Sequence, residues 1–284
     1  MSLRSAAVTT LCLRDTKLEL SKEFEGYELK WMVKAIIHTD IDFNDFPEKT
    51  IELVKYSVSL PFFREFKSHV YGFKRPGKYG DRFLKRMYKD LISNDFESVI
   101  IADCDHINDT DNRLNIFMNP YYCEKDIDNS AKSIIELLIP LNEGLLNTRI
   151  IYEWFKHVSN DWNGIYGYVT LYVDGLYPDD FFKKTIQTYP IDCLNASYYE
   201  SFCKQGIKDL FWLNLVSKHH KHILPIEEIR DNYVENENGA ILFESLSSLS
   251  PDSWDQQKIY RNRCKVDGHI IRHVTEEYEW SKKG

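Results

Sequence analysis

The sequence predicts an α+β fold: a single domain over residues 1–284, mainly an antiparallel sheet flanked by helices, with 1–10 a flexible start. Three observations predict it. Short apolar runs separated by Asp/Asn-rich turns cluster between Phe96 and Leu141, which is the pattern of an antiparallel meander. Amphipathic helical stripes occupy separate stretches, so strands and helices are segregated instead of alternating as βαβ units. No Gly/Ser- or Pro-rich linker and no repeat of 20–50 residues divides the chain.

From Tyr27 to Ile41, Leu29, Trp31, Val33, Ala35 and Ile37 alternate with Lys30, Lys34 and His38, the two-residue period of a strand with one buried face. Asn44-Asp45-Phe46-Pro47-Glu48 then supplies a polar cap, a proline for the first turn and an early acid, and Ile51 and Val54 continue a helical stripe. A second helix is expected over Asp81–Ser93, where Phe83, Met87 and Leu91 recur every four residues. Glu97–Ala102, Arg113–Met118 and Ser133–Ile139 read as the meander strands; Pro140 and the three isoleucines favour a strand over a buried helix in the last. Thr148–Val158 reads as a helix capped by Thr148, ending in the turn Ser159–Gly164. The β-branched and aromatic run Ile165–Val173 is the expected centre of the sheet, covered on both faces. Pro178–Lys183 opens a short helix, Gly206–Leu224 looks helical through Leu210, Leu213, Leu215 and Val216, and Gly239–Phe243 is a short strand.

The chain holds 36 Lys+Arg against 44 Asp+Glu, a formal charge of −8, which argues against binding nucleic acid by general phosphate attraction. No stretch approaches the roughly 18 apolar residues of a membrane span, and the first thirteen residues lack a clean secretory core, so a cytoplasmic protein without membrane contact is expected. Six cysteines without a CxxC pair read as free thiols.

Several stretches together resemble a known family. The strand Ile134–Leu141 with its proline exit, the helix through Tyr152, Trp154 and Phe155, and Gly164-Ile165-Tyr166-Gly167-Tyr168 are similar in order to type VI secretion and polymorphic-toxin immunity proteins. Asp209–Leu215 and Gly239–Phe243 resemble that family's Trp-Leu helix and its late Gly-initiated strand, whereas its Gly-rich late turn survives here only as Pro251 and Asp252. The resemblance implies a non-enzymatic protein, needing no cofactor, that binds and neutralises a cognate toxin inside the producing cell. It carries over no contact residues.

The residues themselves suggest where a partner would bind. Eight acids lie between Glu97 and Asp128 against two bases, and Asp103, Asp105, Asp109 and Asp111 are the densest of them. Such a field speeds association with a toxin presenting a basic surface. Tyr121, Tyr122 and Trp162, placed in turns, can anchor the same interface. The alternative is a metal-dependent transferase or hydrolase using Asp103, Asp105 and His106 at a strand end, although a solvated turn is the plainer account of those residue types. Arg64–Lys89 carries nine bases against two acids, interleaved with aromatics; Arg75, Lys78, Arg82 and Arg86 would serve an RNA-binding module, or simply solvate a helix face. His219 and His222 would share a helix face, without a third ligand in the pattern. Nucleophile and dinucleotide-loop signatures are missing from the sequence.

Overall fold

A computed structural model describes residues 30–61, 63, 68–71, 79–102, 113–118, 131–141, 144, 147–174, 191–193, 207, 209–220, 233–246 and 249. Among the described residues, ten strands form one sheet: β1 (Lys30–Thr39), β2 (Ser68–Tyr71), β3 (Ser98–Ala102), β4 (Arg113–Met118), β5 (Ser133–Pro140), β6 (Gly164–Asp174), β7 (Ile191–Cys193), β8 (Leu213–Val216), β9 (Tyr233–Glu235) and β10 (Ile241–Glu244). Their order across the sheet is β2-β3-β4-β5-β1-β6-β8-β10-β9, with β7 beside β6. Among the described residues, only the β6–β7 pairing is parallel.

The expected meander is present as β3-β4-β5, and β4 has the bounds read from the sequence. β6 is buried on both faces from Gly164 to Tyr172, yet β1 takes the middle place and β6 lies next to it. β1 pairs along its length with β5 on one side and β6 on the other, so its backbone is satisfied without water.

Among the described residues, three helices cover one face: α1 (Pro47–Val58), α2 (Asp81–Ile92) and α3 (Thr148–Asp161). Pro47 opens α1, where its missing N–H costs nothing, and the Asp42 side chain accepts from the Asn44 N–H at 2.8 Å in the short 3-10 turn before it. α3 begins at Thr148, the residue expected as its cap; the cap position falls one residue earlier, on Asn147, which makes no side-chain bond. On this face Val33, Ala35 and Ile37 of β1 meet Val54 of α1, Met87 and Leu91 of α2, and Trp154 and Phe155 of α3 in one core. The Trp154 indole N–H donates to Ser57 Oγ at 3.0 Å, which ties α3 to α1 and satisfies a buried donor. The opposite face carries a second core of Ile36, Tyr166, Tyr168, Val216 and Phe243 with Leu210 and Phe211.

One expected helix is overturned. Gly206–Leu224 is not a helix among its described residues: Leu213–Val216 is β8, hydrogen-bonded to β6 and β10, and Lys218–His220 is a 3-10 turn. A strand buried on both faces is apolar without a clear two-residue period, so its leucines imitate a helical stripe. Asn214 adds a local device that a helix would not need. Its side chain accepts from the Phe211 N–H and donates to the Phe211 carbonyl, both at 2.8 Å, and donates to Ser245 Oγ at 3.2 Å. The helix expected at Pro178–Lys183 lies outside the described residues.

Candidate functional site

Two groups of polar residues stand out, and they differ in their access to solvent. The first lies on the sheet face away from the helices. Lys34 of β1, fully buried, meets Glu136 of β5 at 3.1 Å, and its ammonium sits 5.3 Å from the centre of the Tyr172 ring. Farther along, the buried His38 ring lies 5.7 Å from Tyr166, which is 5.5 Å from the ring of His220; the Ser217 N–H donates to His220 Nδ1 at 3.2 Å. Lys34, His38 and His220 are each at 0% exposure, so these side chains are closed to solvent.

The second group is open. A cleft of about 440 Å³ runs between the outer flank of α3 and β9 with its turn. Glu153, His157 and Asn160 line one wall at i, i+4 and i+7, joined by Lys156; Val234, Glu235, Asn236 and Glu237 form the other. The two walls are tied together at one end. Asn160 Oδ1 accepts from the Glu237 N–H at 3.0 Å, the buried Asn236 amide donates to Ser159 Oγ at 3.3 Å, and the Asn238 amide donates to the Gly164 carbonyl at 3.3 Å. Gly239 makes the turn possible: it takes φ +76°, and its N–H donates to the Asn236 carbonyl at 2.9 Å.

The field around the cleft is negative, with exposed Glu153, Glu235 and Glu237 against Lys156. Burial, then the Glu244 and Glu153 carboxylates, hold the Tyr152 hydroxyl above its ordinary range. Burial and Glu153 do the same to Tyr56, whose ring packs edge-on against His157 at 4.9 Å. Glu244 itself is raised by partial desolvation. Carboxylates, amides and an ammonium on these walls can bind charge and hydrogen-bond a chain.

Trp162 corrects the expected interface. Only 1% of it is exposed: the turn after α3 tucks the indole 5.1 Å from the Phe43 ring, and the Lys49 ammonium lies over the indole at 5.0 Å. An aromatic in a polar turn is buried here because the turn closes over the core between α3 and α1. Asp103, Asp105, His106, Asp109, Asp111, Tyr121 and Tyr122 lie outside the described residues, as do Arg75, Lys78 and His222. Arg82 and Arg86 do occupy the exposed face of α2. Among the described residues, no group of three or more His, Cys, Asp or Glu is arranged to hold a metal, and no helix is long and apolar enough to cross a membrane.

The cleft itself was missed in the sequence, although two signals point to its parts. Asn238-Gly239 is a strong hairpin dipeptide, and Glu153, His157 and Asn160 form the polar stripe opposite the buried Ile151, Trp154 and Phe155.

No protein family and no curated protein matches the chain. A solved structure titled Pseudomonas aeruginosa T6SS protein PA0821 is similar to it, with a TM-score of 0.64. The two share a fold. The likeness covers 95% of this chain and 94% of the other at 11% sequence identity.

Proposed function

We propose that this chain is a non-enzymatic, cytoplasmic immunity protein that binds a cognate bacterial toxin and neutralises it by occluding the active surface. The observation that carries the reading is the likeness, over 95% of the chain, to a protein titled as belonging to a type VI secretion system. The strand, helix and G-x-x-G-Y order from Ile134 to Tyr168, which resembles immunity proteins in sequence, supports it independently. The partner presents a basic surface, because the acids Asp103, Asp105, Asp109 and Asp111 concentrate negative charge between β3 and β4. Tyr121 and Tyr122 extend that interface.

The test is co-expression with each candidate toxin encoded beside this gene. Growth is rescued by one of them, and the two proteins elute as one complex. Failure to rescue any neighbour, with no complex formed, overturns the reading.

A further inference from the structure

The cleft beside α3 borders a sheet edge. β9 ends the strand order, pairing with β10 alone among the described residues. The Asn236 N–H donates to the Ala240 carbonyl at 2.8 Å, so 236 and 240 form a hydrogen-bonded pair. Val234 faces Leu242 in the same register, with Tyr233 opposite Phe243 and Glu235 opposite Ile241. Bonded and non-bonded pairs alternate along an antiparallel ladder. The backbone N–H and C=O of Tyr233 and Glu235 therefore point away from β10, toward the edge.

An open edge of this kind accepts an extended chain as one more strand, its backbone supplying affinity and its side chains specificity. The occupant is set by charge. In an antiparallel pairing with a second copy centred on Asn236, Glu235 of each copy would lie opposite Glu237 of the other, and like charges placed opposite each other destabilise a strand pair. A cationic chain meets them favourably, and Glu153 across the cleft meets it too. The volume of about 440 Å³ falls within the roughly 300–1,000 Å³ typical of binding clefts.

We propose that the cleft between α3 and β9 docks an extended lysine- or arginine-bearing segment of a protein partner, which adds to β9 and sets its cations against Glu153, Glu235 and Glu237. That the partner is a toxin rests on the immunity reading. Ala102 and Arg113 stand at the other end of the sheet from the β9–β10 turn, and β4 is six strand positions from β9, roughly 30 Å at a spacing of about 4.8 Å.

The probe is a ten-residue peptide of alternating Lys and Thr, added to the full chain and followed by hydrogen exchange. Residues 233–237 gain protection, and raising salt reverses it. The triple variant E153K/E235K/E237K, altered only at exposed side chains, weakens binding at least about tenfold. Glu235→Pro deletes an outward N–H without touching the Val234–Leu242 bonds, and it weakens binding more than Glu235→Gln does. Protection elsewhere, or equal binding of a Glu-Thr peptide, overturns the proposal. With a toxin that the wild type neutralises, retained neutralisation by the triple variant and its loss in D105K/D109K overturn this docking site and leave the immunity reading standing. Peptide docking at 233–237 without neutralisation of any neighbour toxin overturns the immunity reading and leaves the site.

Discussion

Lys34 and Glu136 form an ion pair across β1 and β5, Nζ to Oε2 at 3.1 Å, with the lysine wholly withdrawn from solvent. A charge held this way is stabilised chiefly by its partners, and the Tyr172 ring at 5.3 Å is a further one. Removing one member should therefore be far worse than replacing both. Glu136→Ala is expected to cost about 3–5 kcal/mol in urea unfolding, whereas Lys34→Met with Glu136→Leu should return most of that loss. Equal losses in the single and double variants would show that the pair does not act as a unit.

Gly167 of β6 leaves room for the approach of its neighbours. A Cβ there would meet the Ile36 carbonyl at 2.5 Å and the Phe155 ring at 3.1 Å. One obstacle is ladder backbone and the other is the packed face of α3, so neither yields cheaply. Gly167→Ala is predicted to destabilise by about 1–3 kcal/mol, measured as a lowered Tm.

The burial of Trp162 separates its two roles. A solvent-facing interface anchor could be truncated without loss of stability. A core indole packed on Phe43 could not, and Trp162→Ala should cost about 3–5 kcal/mol in chemical denaturation.

Glu244 supplies a pH dependence. Although Glu244 is exposed, partial desolvation raises its folded carboxyl above the ordinary value of 4.5, so the folded state binds its proton more tightly than the unfolded chain. Its contribution falls as pH rises from 4.5 through the raised value, and the charged form remains a cost above that. Glu244→Gln should increase Tm slightly at neutral pH, with the gain fading as pH falls through the raised value toward 4.5; thermal melts across that range check it.

Much of the architecture was legible because it depends on short periods. The alternation in β1, the stripe Phe83, Met87 and Leu91 of α2, and the turn-bounded run of β4 each declare themselves within about a dozen residues. β8 did not, because a strand covered on both faces loses the alternation that marks a strand. The candidate cleft was legible only in fragments: the polar stripe of α3 and the Asn238-Gly239 turn are local, but their meeting is not.

By itself, then, the sequence determined the α+β class, the positions of the amphipathic helices, and the uneven placing of charge, since each follows from neighbouring residues and backbone preference. Tertiary structure alone decided that Trp162 is buried, that Lys34 finds Glu136 and that Glu237 reaches Asn160, 77 residues away. Such pairings depend on which strands lie side by side and how much water they exclude. A linear pattern leaves both open until the sheet closes around them.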